Sequence, residues 1–234
     1  MWRIHHSQLT ASTNLDARSG EPGDVFTTDE QTAGRGRLDH RWYSAPGENL
    51  MFSAVIEVTG LDPWHVSTLP LVIGLAVADT CRSVLPPEKR IMLKWPNDVL
   101  VEGRKICGIL CERHADNVIA GVGINVKQRE FPPEIASRAT SMILSGNESE
   151  PQEILKICLR NFDELLPIWR GSGFAALQER FSHWDFLKGK RIRVLRTDDD
   201  PRPLQGICEG VARDGTLIVN GESVFAGEAH IDME

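Results

Sequence analysis

No stretch of this 234-residue chain stays apolar for the ~20 residues a membrane-spanning helix needs. The longest candidate, Leu69 to Ala78, is broken by Pro70 and Gly74. The opening Met-Trp-Arg-Ile-His-His has no apolar signal core, so a cytoplasmic protein without membrane contact is expected. An even cysteine set is missing too. Cys81, Cys107, Cys111, Cys158 and Cys208 are five, which suits reduced thiols rather than a disulfide frame. In that compartment Asn147-Glu148-Ser149 is not a glycosylation site. Cys107 and Cys111 are too few for a metal site and fall in phase on one strand face, as core residues do. His5-His6 has no partner motif and is expected at the surface. Positive charge is in deficit, with 26 Lys and Arg against 33 Asp and Glu and a net charge of -7. Such a surface repels nucleic acid, so a local basic patch marks a site rather than a coat. Repeats and low-complexity tracts are absent.

What is present is 41% hydrophobic residues, enough for a core, in a patterned order. β-prone runs occur at Val25–Thr28, Leu50–Ile56, Ile91–Leu93, Val99–Val101, Ile106–Leu110 and Val118–Val126. Val66–Leu85 is dense in Ala and other apolar residues, suits a buried helix, and stops at Pro86-Pro87. Hairpins are expected at Glu102-Gly103 and at Ala115-Asp116-Asn117. Ser149, with Gln152 three residues on, fits a capping box for a helix whose apolar stripe runs from Ile154 to Trp169. A second helical face carries Phe174, Leu177, Phe181 and Trp184. After Leu187, short β-prone pieces alternate with glycines, as in a small β-barrel. The chain is therefore expected to be α+β, with a mixed or antiparallel sheet in residues 1-187 and a small barrel in 188-234.

Four segments carry chemistry. Gly34-Arg35-Gly36-Arg37 is no Walker loop, since Gly-Lys-Ser/Thr is lacking. Glycine lets backbone approach a ligand, and arginine offers a forked donor set for carboxylate or phosphate. A solvated basic loop would show the same residues. In Lys94-Trp95-Pro96-Asn97-Asp98, Asn97 and Asp98 are oxygen donors for Mg²⁺, or simply the tip of a Pro-Asn-Asp turn. Lys105, in an otherwise apolar strand, falls near the same corner or faces outward. Gly121-Val122-Gly123-Ile124-Asn125 invites close approach by a ligand or another backbone. Ser12-Thr13-Asn14 suits a helix cap or a polar pocket.

In order and spacing, the set resembles the biotin protein ligases. The likeness runs through Ser12-Thr13-Asn14, Gln31 with Gly34-Arg35-Gly36-Arg37 and Trp42, and Gly47-Glu48-Asn49-Leu50. It continues through Lys94 to Asp98, Gly103 to Leu110, and Gly121 to Asn125. The resemblance implies a class II synthetase-like catalytic domain and an SH3-like C-terminal barrel. It implies ATP-dependent activation of biotin as biotinyl-5′-AMP, with Mg²⁺, and transfer to a lysine of a biotin carboxyl carrier protein of acetyl-CoA carboxylase or a related carboxylase. Biotin would be held by Ser12, Thr13, Asn14, Gln31, Arg35, Gly36, Arg37, Lys105, Gly108 and Gly123. Trp42, Lys94 and Asn125 would lie on the nucleotide side, and Asn97 and Asp98 at the metal. Lys105, Arg37 and Arg35 would be catalytic.

Asp39-His40 departs from a glycine common in such loops and sets an acid beside the anion site. Little chain precedes Ser12, so a helix-turn-helix and DNA binding are not expected. An edge strand in the main sheet offers a pairing surface for two copies, so a homodimer is one expectation. The rivals are a lipoate or octanoate ligase or transferase of similar fold, for which an apolar tunnel would replace the polar Ser12, Thr13 and Gln31, and a non-catalytic biotin or nucleotide sensor.

Overall fold

A computed structural model describes residues 1–197 and 202–231, the side chain of Asp39 excepted. The first 125 residues lay down seven strands: β1 (Arg3–Thr10), β2 (Asp24–Gln31), β3 (Asn49–Glu57), β4 (Ile91–Lys94), β5 (Asp98–Val101), β6 (Arg104–His114) and β7 (Asn117–Asn125). They form one sheet in the order β1-β2-β3-β7-β6-β5-β4. Only β1 and β2 are parallel, and every other pair is antiparallel, so the sheet is mixed, as expected. Both anticipated hairpins form, with Glu102 and Ala115 at positive φ in their turns.

The sheet's two faces have different tasks. Leu50, Phe52, Ala54 and Ile56 of β3, with Val118, Ala120, Val122 and Ile124 of β7, face the main core. There α2 (Pro63–Ser67) and α3 (Leu69–Val84) lead in. Helix α3 is buried nearly all round, as a central core helix should be. The helical stretch Pro63–Val84 is long and apolar enough by composition to cross a membrane, yet 67% of its apolar window is buried inside the fold. After the short helix α4 (Pro133–Ala136), helix α5 (Pro151–Ser172) is amphipathic and lays Ile154, Cys158, Phe162, Leu165 and Trp169 on α3 and β3. Its capping box sits one residue later than Ser149–Gln152 suggests. Glu150 and Glu153 exchange the reciprocal bonds, because Pro151 at the first helical position sets the helix start.

The face from Phe174 to Trp184 is also split. A 3₁₀ turn at Phe174–Ala176 precedes α6 (Gln178–His183), and Trp184 lies past its end. On the opposite face the short helix α1 (Thr13–Asp16) and its flanks cover one part of the sheet, and the rest borders a cavity.

From Arg191 onward a second sheet forms: β8 (Arg191–Arg196), β9 (Leu204–Val211), β10 (Leu217–Val219), β11 (Glu222–Val224) and β12 (Gly227–Ile231). Its order is β11-β10-β9-β8-β12, antiparallel throughout. Its buried residues, among them Ile192, Val194, Leu217 and Val224, join the main apolar cluster. Polar ties fasten it: Trp95 Nε1 donates to the Gly215 carbonyl at 3.1 Å, and Gln178 Nε2 to that of Val211 at 2.7 Å.

Candidate active site

Strand register builds the floor of the cavity. Met51 pairs with Gly123, Gly123 with Gly108, Gly108 with Asp98, and Asp98 with Lys94. Directly opposed residues share a face. One row across four antiparallel pairings thus runs from an apolar side chain over two glycines to a carboxylate and an ammonium. The cavity above it measures about 430 Å³.

The glycines are there because an indole lies on them. A Cβ on Gly123 would sit 2.5 Å from Trp42 Cε2, and one on Gly108 3.0 Å from Trp42 Cζ3. The next site-face residue of β7, Gly121, lies under Asn14, whose Oδ1 would be 2.2 Å from an added Cβ. Close approach is therefore what both glycines of Gly121-Val122-Gly123 provide.

One end of the cavity is polar. Ser12 stands at the N-cap position of α1, but its hydroxyl makes no capping bond and lines the cavity. The Thr13 N–H donates to Gln31 Oε1 at 2.8 Å. The Gln31 amide nitrogen is thereby turned toward Met51 Sδ, 3.4 Å away. Ser12, Thr13 and Asn14 are all buried.

The other end is cationic. Lys105 Nζ lies 2.6 Å from Asp98 Oδ1. The contact is an ion pair without hydrogen-bond alignment, since that oxygen is otherwise unpartnered. Burial, chiefly, lowers the pKa of Lys94, while Asp98 raises it and Lys105 lowers it. Arg37 is likewise lowered by burial and raised by Asp98 and Glu228. Arg138 joins the field around Lys94. Four cations, Arg37, Lys94, Lys105 and Arg138, thus face two carboxylates, Asp98 and Glu228, and a site with that surplus attracts anions. The Lys105 ammonium also stands 5.9 Å from the Trp42 ring centroid.

The arginine loop spans both ends. It closes on itself through Gly36 N–H to the His40 carbonyl at 2.6 Å and Trp42 N–H to the Gly34 carbonyl at 3.1 Å. Leu38 takes a left-handed φ of 53° at its tip. Arg37 Nη1 donates to the Gly227 carbonyl at 3.2 Å, clasping the loop to the second sheet. Arg35 does not join Arg37 and Lys105. Its guanidinium stands 3.8 Å from Glu112, where that carboxylate draws it toward the polar end. The loop is thus neither free nor merely solvated. Asp39, the departure noted in the sequence, has a side chain outside the described residues.

The Lys94–Asp98 turn has a cis Trp95–Pro96 peptide. Asn97 Nδ2 donates to the Ile109 carbonyl at 2.8 Å and fastens the turn to β6. Among the described residues no three His, Cys, Asp or Glu side chains gather for a metal. Asn97 and Asp98 are oxygen donors of the kind Mg²⁺ takes, but they do not form a metal cage without further ligands. Asn125 lines the cavity, and its Nδ2 donates to the Thr140 carbonyl at 2.9 Å, holding the 138–140 segment beside Lys105. Asn49 is structural: it receives the Val126 N–H at 2.9 Å and bonds Gln128.

Sequence reasoning missed Arg138, Ser53 and Glu112. Ser53 is fully buried and hydrogen-bonds Thr13 and Asn14, and Glu112 bonds Asn14. The available signal was periodicity. Glu112 lies four residues beyond Gly108 and Ser53 two beyond Met51, each on the site face of its strand.

Residues 3–128 match the model of the biotin/lipoate A/B protein ligase family. A biotin–[acetyl-CoA-carboxylase] ligase from Mycobacterium tuberculosis is 33% identical over 193 residues, 79% of this chain and 71% of the relative. The bifunctional ligase/repressor BirA of Bacillus spizizenii is 31% identical over 239 residues, 99% of this chain and 71% of that protein. Among solved structures, a biotin protein ligase from Aquifex aeolicus in complex with biotin and ATP superposes with a TM-score of 0.87, 27% identity and full coverage of both chains. One from Leishmania major in complex with biotinyl-5-AMP gives 0.67 at 25% identity, covering 99% and 98%.

Proposed function

The chain belongs to the biotin/lipoate A/B protein ligase family, and from that premise we propose that it activates biotin with ATP and transfers it to a carboxylase's carrier protein. One observation supports this above the rest: a single cavity has a neutral hydrogen-bonding end at Ser12, Thr13 and Gln31 and a cationic end at Arg37, Lys94 and Lys105. A ligand fitting both has a polar, uncharged head and an anionic tail. Biotin's ureido ring and valeryl carboxylate are such a molecule. An octanoyl chain would leave the polar end without partners, at a cost in desolvation.

The first step joins two anions. An oxygen of the biotin carboxylate attacks the α-phosphorus of ATP, and the bond from that phosphorus to the departing pyrophosphate breaks. Two unit charges at ~4 Å repel by about 4 kcal/mol at an effective dielectric of ~20. Lys105 and Arg37 offset that repulsion, and preorganised donors of this kind are worth ~3–4 kcal/mol each. Lys105 is held in reserve by Asp98 and turns to the acyl phosphate when the anions arrive. Asp98 and Asn97 would be the oxygen donors nearest a Mg²⁺ ion, whose chemistry would be to neutralise the polyphosphate.

In the second step the carrier lysine's amine attacks the acyl carbon, an amide forms, and AMP leaves. Trp42 lies between the two ends and Asn125 borders the nucleotide side. The two-glycine floor seats the Trp42 indole, which forms part of the cavity wall against which the ligand rests. Arg35 stands over the head-group end rather than at the reacting phosphate.

Incubation with a biotin carrier domain, ATP, Mg²⁺ and labelled biotin tests the reading. A labelled carrier lysine is expected. A carrier labelled with lipoate only, or not at all, overturns it.

A further inference from the structure

Behind the polar end of the cavity lies a chain of buried polar groups that ends on a carboxylate. Asn14 Nδ2 donates to Glu112 Oε2 at 2.5 Å. Asn14 Oδ1 lies 2.6 Å from Ser53 Oγ, which lies 2.8 Å from Thr13 Oγ1. Ser53 is fully buried and Asn14 nearly so. Arg18 and Arg35 flank the carboxylate, each 3.8 Å from Glu112 Oε1.

Hydrogen-bond bookkeeping gives this chain a direction. As a carboxylate, Glu112 accepts and does not donate. The amide nitrogen of Asn14 must face it, so the amide oxygen faces Ser53. Ser53 has one proton, which goes to that oxygen. The remaining lone pairs of Ser53 meet the Thr13 hydroxyl at 2.8 Å, closer than Gln31 Oε1 at 3.2 Å from that hydroxyl, so the Thr13 proton points back to Ser53. Thr13 Oγ1 is left to offer lone pairs to the cavity. The Thr13 N–H meanwhile donates to Gln31 Oε1, which orients the amide, and of the two N–H groups on the Gln31 nitrogen one faces Met51 Sδ and the other is left for the cavity. The wall presents an acceptor and a donor side by side, the complement of a ligand N–H beside a C=O.

We propose that Glu112 is a positioning residue that, acting through Asn14 and Ser53, sets the hydrogen-bond polarity of the head-group wall and so selects a cyclic urea-like N–H/C=O edge. The proposal rests on the biotin reading above and specifies how that same site recognises its ligand. Glu112 touches no substrate. Gly121 belongs to the device, since only a residue without Cβ lets Asn14 cross the strand to reach Glu112.

The test is biotin binding and adenylation by the full chain. Glu112→Gln keeps the shape but adds an amide N–H that lets Asn14 turn over. Exchanging a charged for a neutral acceptor at this bond raises the biotin Kd about tenfold. The KM for ATP and the melting temperature stay essentially unchanged. Ser53→Ala raises the biotin Kd likewise without altering any charge.

A double-mutant cycle separates the route through Asn14 from the contact with Arg35. In an Asn14→Ala background, Glu112→Gln has no further effect on the biotin Kd. A further loss there, or a biotin Kd within twofold of the unmodified protein in the single variant, overturns the proposal while leaving the function standing. Absence of biotin binding by the unmodified protein overturns both.

Discussion

Replacing Lys105 with alanine removes one of four cations around the anion end and leaves Asp98 without its partner 2.6 Å away. The resting pair itself is worth little. The Lys105 side chain is 37% exposed and that of Asp98 18%, so solvent screens it and its contribution to stability stays within ~1 kcal/mol. The melting temperature of Lys105→Ala should therefore barely move.

Catalysis is affected very differently. Carboxylate and phosphate meeting at ~4 Å repel by about 4 kcal/mol, and losing one preorganised donor costs ~3–4 kcal/mol, or roughly 10²–10³ in rate. The unmatched Asp98 adds to that repulsion. Lys105→Ala/Asp98→Asn restores the local charge balance and should recover about tenfold of the loss. The assay is single-turnover pyrophosphate release with biotin and ATP and no carrier present. Release within tenfold of the unmodified rate refutes the placement of Lys105 between the anions. A double variant slower than the single one refutes the role given to Asp98.

Three further perturbations follow from the same geometry. Arg37→Gly removes the clasp to the Gly227 carbonyl, so biotinyl-5′-AMP should dissociate about tenfold faster and label proteins other than the carrier; an unchanged dissociation rate contradicts this. Gly123→Ala places a methyl group 2.5 Å from Trp42 and displaces the indole, and adenylation should fall by about tenfold while the fold survives. Asp24 is held well below its usual 3.8 by bonds first from Arg3, then from His5 and the Glu21 N–H. Since the folded pKa is the lower one, this carboxylate stabilises the protein above pH 3.8, and the contribution is lost as pH falls below that value. Melting temperature followed from about pH 5 to about pH 3 should fall less steeply in Asp24→Asn than in the unmodified protein.

The site was more legible than the frame around it. Gly108, Gly123, Asp98 and Lys105 advertise themselves because a strand otherwise of buried aliphatics has no packing use for them, and the register does bring them together. Strand β1 was not legible. Arg-Ile-His-His-Ser-Gln-Leu-Thr lies at the sheet edge with most positions exposed, so it has no apolar alternation to read. His5 and His6 are indeed half-exposed there, yet each meets a carboxylate, Asp24 or Asp29, supplied by the parallel neighbour. Arg35 and Arg37 look equivalent in Gly-Arg-Gly-Arg. Only tertiary structure separates them, by offering Glu112 to one and Gly227 to the other. Glu112 and Ser53 carry no motif, because their importance lies in what they hold and not in what they offer a ligand.

The proposed chemistry requires that the acid and the nucleotide meet where Lys105 and Arg37 converge. A crystal structure with bound biotinyl-5′-AMP measures this directly. The ureido ring is expected against Ser12, Thr13 and Gln31, with the acyl-phosphate oxygens within hydrogen-bonding distance of the Lys105 ammonium. An adenylate with its acyl phosphate turned away from a Lys105 still paired to Asp98 would contradict it.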